Sequence, residues 1–184
     1  GVQKLLDGVI NYLPSPKDIP PTIAINIDTG ESEELSSDMN GPFVALSFKV
    51  QTDPYVGRLS YFRVYSGKVS AGSYILNTRK NRKERLGRIL LMHANHREEI
   101  KEIEAGEIAA AVGVEAGTGD TLCAENAPYT LEAISFAEPV IGIVLEPKTK
   151  ADRDKMSEAI KKFLEEDPTL KIKTDEETGQ SILY

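Results

Sequence analysis

Val2, Leu5, Leu6, Val9, Ile10 and Leu13 recur at the spacing of an amphipathic helix, and Pro14 and Pro16 end the run. From Pro20 the periodicity changes. "PPTIAINI" reads as extended, and "DTGESEELSSDMNG" (28–41) as an acidic, polar loop. "PFVALSFKV" alternates, which places Val44, Leu46, Phe48 and Val50 on one face of a strand. "GRLSYFRVYSG" is rich in aromatic and β-branched residues. "KVSAGSYILN" predicts a turn at Ala71-Gly72 with a strand after it, and "RLGRILLMH", "AGEIAAAVGV" and "GDTLCA" predict further short strands. Short strands punctuated by glycine predict a small closed β-barrel with no open edges. Glu98 to Glu104, "EEIKEIE", reads as either a helical turn or a loop.

After "APYTLEAISFAEP" the organisation changes again. "VIGIVLEP" predicts a buried strand. Thr149 is placed to cap a helix, with Asp152 three residues on in the capping-box position. Met156, Ala159, Ile160, Phe163 and Leu164 form the apolar stripe of that helix. Lys155, Glu158, Lys161, Lys162, Glu165 and Glu166 fall on its solvated side, and Pro168 follows its end. "LKIKTDEETGQSILY" predicts a hairpin turning near Thr178-Gly179. Strand, helix, strand, strand is half of a ferredoxin-like unit. The fold class is therefore mainly β plus α+β: a β-barrel followed by an incomplete ferredoxin-like (β-α-β-β) unit. The first helix lacks a cap and a covering partner, and the last strand stops in an apolar run, so both ends read as cut and the chain as a fragment.

Charge adds an asymmetry. The chain of 184 residues has a formal net charge of -7. Between Arg58 and Arg97, however, ten Lys or Arg stand against one acid, Glu84, giving +9 and leaving -16 elsewhere. The densest part is "RKNRKERLGR". Its Arg79, Lys80, Arg82, Lys83, Arg85 and Arg88 predict a face for an anionic partner. The same residues also suit an edge strand, where cations prevent strand-to-strand aggregation.

Hydrophobic content of 40% is enough for a packed core. No apolar run approaches the ~20 residues of a membrane helix, and no secretory signal opens the chain. The one cysteine, Cys123, fits a reducing cytoplasm and reads as a small buried side chain.

Several chemistries find no support. There is no GxxxxGK[ST] loop, and "GKVSAGS" has its Gly-Lys pair in the wrong order. Asp38-Met39-Asn40-Gly41 matches DxxG but reads as a turn. His93 and His96 form an HxxH pair without further ligands, which leaves RNA contact or ordinary hydrogen bonding. Glu165-Glu166, on the wet side of a helix, is no catalytic pair. Tyr61, Phe62 and Tyr65 interleave with Arg58 and Arg63, which favours core packing over base stacking. No catalytic residue, metal site or cofactor site is expected.

The segments "LLDGVINYLPSP", "DPYVGRLSYFRVYSG", "RLGRILLMHANHREEI", "GDTLC", "EPVIGIVLEPKTKADRDKM" and "EEDPTLKIKTDEETGQSIL" resemble bacterial elongation factor G, the translocation GTPase of the ribosome. They span nearly the whole chain in the family's order. The resemblance implies a helix from the end of the GTP-binding domain (1–14), a translation-factor β-barrel as second domain (20–131) and a truncated ferredoxin-like third domain (135–184). It implies a cytoplasmic, ribosome-docking and relay fragment of the factor that moves tRNA and mRNA. Its partners would be the small subunit with its ribosomal RNA and the absent GTP-binding domain, with no membrane. GTP and Mg would belong to the parent, so the fragment would not be an enzyme. Ribosomal RNA becomes the expected partner of Arg79, Lys80, Arg82, Lys83, Arg85 and Arg88, although some of these could instead brace the absent domain. The family's usual "FPEPV" is "FAEPV" here, and Ala137 frees the backbone at the junction. The alternatives are the same domains of a ribosomal protection protein or other translational GTPase, and a stand-alone protein-binding adaptor using the acidic loop from Asp28 to Asp38.

Overall fold

The computed structural model describes residues 1–94, 96–176 and 179–184. In chain order the elements are α1 (Val2–Tyr12), β1 (Thr22–Asn26), β2 (Ser32–Leu35), β3 (Val44–Asp53), β4 (Gly57–Ser66), β5 (Lys68–Ser70), β6 (Tyr74–Asn77), β7 (Arg82–Arg85) and β8 (Arg88–His93). They continue with β9 (His96–Ile100), β10 (Glu102–Glu104), β11 (Ile108–Val112), β12 (Thr121–Cys123), β13 (Tyr129–Leu131), β14 (Ile143–Leu145), α2 (Lys150–Glu166), β15 (Ile172–Thr174) and β16 (Ser181–Leu183). The architecture is mainly β followed by an α+β unit.

The predicted first helix is present as α1, and its apolar stripe packs on nothing: no residue of α1 is buried. Leu13 closes it by donating its N–H to the Val9 carbonyl, and the proline-containing segment then leads into β1.

The main sheet has eight antiparallel strands in the order β7-β6-β12-β3-β4-β11-β8-β9. Its inner face carries the largest core, with Phe62, Val64, Ile75, Leu86, Ile89 and Leu122 at or near zero exposure. The expected absence of open edges needs correction, because β7 and β9 stand at the two ends of the ladder. The β5–β10 ribbon bridges the gap between them. Ala71 N–H donates to the Lys101 carbonyl at 2.8 Å, and Gly72 N–H to the Leu86 carbonyl at 2.6 Å. Closure thus runs through turn hydrogen bonds, and the strands beside the gap are too short to complete a ladder.

A second sheet, β13-β1-β2, covers part of the outer face of the main one. Ala24, Leu35, Tyr129 and Leu131 from this sheet meet Val44 and Cys123 from the main sheet. Strand β2 lies inside the segment predicted to be loop. Leu35 alone among its four residues is buried, which leaves too little alternation to reveal a strand.

Two other strand predictions are corrected. Val50 does not share the face of Val44 and Leu46. The pairing steps from Ser47↔Phe62 to Lys49↔Tyr61, so Phe48 is the extra residue of a β-bulge; it is exposed beside the Tyr61 ring, while Val50, paired with Ser60, is buried on the other side. Glu98 to Glu104 forms β9 and β10 where a helical turn or loop was expected. Tyr61 and Tyr65 are half-buried on the outer side of β4, while Phe62 points into the core. The β3–β4 turn is held by Asp53, whose carboxylate accepts the N–H groups of Tyr55 (2.8 Å) and Val56 (3.0 Å) and pairs with Arg97. Those backbone donors, with Arg97 beside them, hold the Asp53 carboxyl below its ordinary range.

The last third forms an antiparallel sheet in the order β14-β16-β15, with α2 crossing from β14 to β15 past the central strand. This is the β-α-β-β half of a ferredoxin-like unit. Thr149 caps α2 as predicted, its Oγ1 accepting the Asp152 N–H at 3.2 Å. Asp175 N–H donates to the Gln180 carbonyl at 2.9 Å across the hairpin; of the turn predicted at Thr178-Gly179, Thr178 lies outside the described residues. The burial predicted for "VIGIVLEP" is not found: Ile143 and Val144 are 62% and 46% exposed. Helix α2 buries only Ile160 and lies against β3 of the barrel.

Candidate nucleic-acid interface

The six predicted cations lie on or beside the β6–β7 hairpin, and all are exposed. Asn77 starts its turn: the Lys80 N–H donates to Asn77 Oδ1 at 3.2 Å, and Asn81 takes a positive φ of 47°. Alternation then turns Glu84, the one acid of the basic run, inward. It is 6% exposed and accepts the Glu115 N–H at 2.6 Å. Its side chain therefore ties the edge strand to the 113–120 loop, while the cations flanking it face out.

Folding brings acids from later in the chain onto four of these cations. Arg82 pairs with Glu115 at 2.8 Å, and Lys83 with Glu125 at 2.8 Å. Lys83 also sits over the Tyr74 ring, 4.5 Å from its centroid. Arg79 and Lys80 approach Asp120 at 3.7 and 3.9 Å, and Lys80 donates to the Glu115 carbonyl. Among the described residues no ion pair engages Arg85 or Arg88. The structure therefore divides a block that is uniform in sequence. Arg85 and Arg88 keep free charge, Arg82 and Lys83 are matched by close carboxylates, and Arg79 and Lys80 are loosely held. Strand β7 is also an edge strand, so the protective reading of its cations fits its position.

Asp120 organises the base of the hairpin. Its buried carboxylate accepts Asn77 Nδ2 at 2.9 Å and Gly117 N–H at 2.8 Å. Beyond it opens a cleft of about 900 Å³ between the barrel and the end of α2. Two residues that sequence reasoning left out of the site line this cleft: Arg58 from β4 and Lys161 from α2. Arg58 donates to Glu165 at 2.9 Å and to the Ala116 carbonyl at 2.8 Å. Glu166 accepts the Thr52 N–H at 2.6 Å. Glu165 and Glu166 are thus half-buried tethers between α2 and the barrel, where the helical wheel had put them on a solvated side. A partner more than a hundred residues away leaves no local signal.

His93 and His96 face each other across β8–β9, and His93 lies 4.0 Å from Glu98. Among the described residues no group of three or more His, Cys, Asp or Glu is arranged to hold a metal ion. No helix among them is long and apolar enough to cross a membrane.

Residues 42–125 match the family described as Elongation factor G domain 2, and residues 136–184 match Elongation Factor G, domain III. A crystal structure of a protein from Thermus thermophilus is similar over the whole chain, with 29% identity and a TM-score of 0.73. The chain spans 25% of that protein's length.

Proposed function

The chain belongs to the elongation factor G family, and from that premise we propose that it docks on the small ribosomal subunit and relays movement during translocation of tRNA and mRNA. The match across both parts of the chain carries this reading. In it, residues 20–131 form the docking domain and residues 135–184 part of the relay domain. The β6–β7 hairpin meets ribosomal RNA. GTP and Mg are handled by a GTP-binding domain outside this sequence, and the work is cytoplasmic.

Phosphate neutralisation is the physical basis. Lys offers a mobile point charge, and Arg can hold a phosphate through two hydrogen bonds. Such contacts position a protein on RNA without reading bases. The ion pairs refine the expectation. Six phosphate contacts would give a slope of log affinity against log salt of about -4 to -5. Contacts by Arg85 and Arg88 alone would give about -1.5.

The test is binding to purified small ribosomal subunits over a salt series. The chain is compared with a variant in which Arg79, Lys80, Arg82, Lys83, Arg85 and Arg88 are all Gln, and with Arg85→Gln/Arg88→Gln. Loss of salt-sensitive binding in both variants is expected. Equal binding by the chain and the six-site variant would move the docking surface elsewhere and leave the block as edge protection.

A further inference from the structure

The cleft between the barrel and α2 is lined by Arg58, Arg79, Lys80, Lys161 and Thr118, and its lining carboxylates have partners of their own. Glu165 is taken by Arg58, and Glu115 by Arg82. Asp120 is 2% exposed, and its short bonds go to Asn77 and Gly117. Arg79 and Lys80, at 3.7 and 3.9 Å from Asp120, are beyond hydrogen-bond distance of it, and their side chains are 62% and 41% exposed. Among the described residues Lys161 has no ion-pair partner. Three cations, two from the barrel and one from α2, therefore keep donors available at one opening.

A second observation points the same way. The hydroxyl oxygen of Thr118 is buried without a hydrogen-bond partner, as is Nε of Arg58, and both residues line this cleft. Buried polar groups are nearly always paired, so an unpaired hydroxyl and an unpaired guanidinium N–H among the residues of one cleft single it out as a polar site. A hydroxyl, a guanidinium and two ammonium groups lining one cleft suit a tetrahedral oxyanion, which offers several acceptor oxygens and up to two negative charges.

We propose that this cleft is a phosphate-binding site, in which Arg79, Lys80 and Lys161 hold one phosphate group against Thr118. The phosphate could belong to an RNA backbone or to a free phosphorylated molecule; the recognition chemistry is the same. Because Lys161 comes from α2 and the other cations from the barrel, the bound group bridges the two parts of the chain. The inference goes beyond ribosome docking and does not depend on it.

The experiment is a titration of the full chain with inorganic phosphate at constant ionic strength, followed by amide NMR shifts of Gly117, Thr118 and Gly119. Saturable shifts are expected, at least tenfold weakened in Arg79→Gln/Lys161→Gln and unchanged in Lys68→Gln, which with its partner Glu102 lies outside the cleft residues. Arg79, Lys161 and Lys68 are all exposed, so the fold is retained in both variants. A single-stranded RNA oligonucleotide forms the second arm. Displacement of phosphate from the same amides assigns the site to an RNA backbone phosphate, and saturable phosphate binding without displacement assigns it to a free phosphorylated ligand. Absence of saturation, or equal shifts in the chain and in Arg79→Gln/Lys161→Gln, overturns the site. Loss of ribosome binding with phosphate binding intact would count against docking alone.

Discussion

Replacing Glu165 by Gln acts on two opposed electrostatic effects. Glu165 lies in the last turn of α2, which contains no basic residue, so its charge opposes the helix macrodipole at a cost of about 0.3–1 kcal/mol. Against this stands the Arg58 pair at 2.9 Å, with side chains only 22% and 35% exposed. Fully exposed pairs give about 0.2–1 kcal/mol. A pair this shielded and this close should reach about 1 kcal/mol. The two effects nearly cancel, so Glu165→Gln alone should change stability very little and would wrongly suggest an idle side chain. A double-mutant cycle of Arg58→Gln with Glu165→Gln isolates the pair. The macrodipole effect and the Arg58 bond to the Ala116 carbonyl occur on both sides of the cycle and drop out. Hydrogen exchange at the amides of Lys161 to Leu164 is the readout, since it reports local opening of the helix end. An interaction energy of about 1 kcal/mol corresponds to a roughly fivefold change in protection. A cycle closing to within about 0.3 kcal/mol of zero, with α2 still helical, would show that Arg58 and Glu165 do not tether the helix to the barrel.

Gly67→Ala should destabilise the chain by more than about 3 kcal/mol in urea unfolding, because φ is +70° and an added Cβ would lie 2.5 Å from the Phe43 nitrogen and 2.6 Å from the Gly41 carbonyl oxygen; a loss under about 1 kcal/mol would mean the β4–β5 connection relaxes freely. Burial pushes the Cys123 thiol up from 9.0 to about 11, so the folded state holds this proton to higher pH than the unfolded state, and the associated stability is complete below pH 9 and lost as pH rises toward 11. Iodoacetamide at about pH 8 should accordingly label Cys123 only as the chain unfolds in urea, and labelling at the rate of a free cysteine in native buffer would contradict its burial.

The parts of the fold that could be read from sequence are those whose cause is local. The Thr149 cap, the α2 stripe around Ile160 and the glycine-bounded strands around Phe62 and Leu122 each carry their signal within a few residues. The misses come from long range or from a broken period. Strand β2 is half acidic, and of its four residues only Leu35 is buried. Val50 leaves the face of Val44 and Leu46 because one bulge, at Phe48, resets the alternation after it. Glu165 and Glu166 sit on the polar side of their helix, yet their partners Arg58 and Thr52 approach from that side, so a polar position was mistaken for a wet one.

The basic block shows why charge counted along a chain misjudges charge in space. Ten cations against one acid between Arg58 and Arg97 describe a stretch that, once folded, faces carboxylates from positions 115, 120 and 125. The acids that balance the block lie just beyond it in sequence, and the barrel returns β12 and its flanking loops to the side of β6. Arg82 and Lys83 lose most of their outward field by this route, while Arg85 and Arg88 keep theirs on the edge strand and beside it. Arg79 and Lys80 are drawn toward a carboxylate already occupied by Asn77 and Gly117, so their charge is only loosely met, and they line the cleft to which α2 adds Lys161. One sequence feature thus becomes two cationic surfaces with different partners to offer. A salt slope near about -1.5 for subunit binding, together with phosphate shifts confined to Gly117, Thr118 and Gly119, would separate them in one pair of measurements.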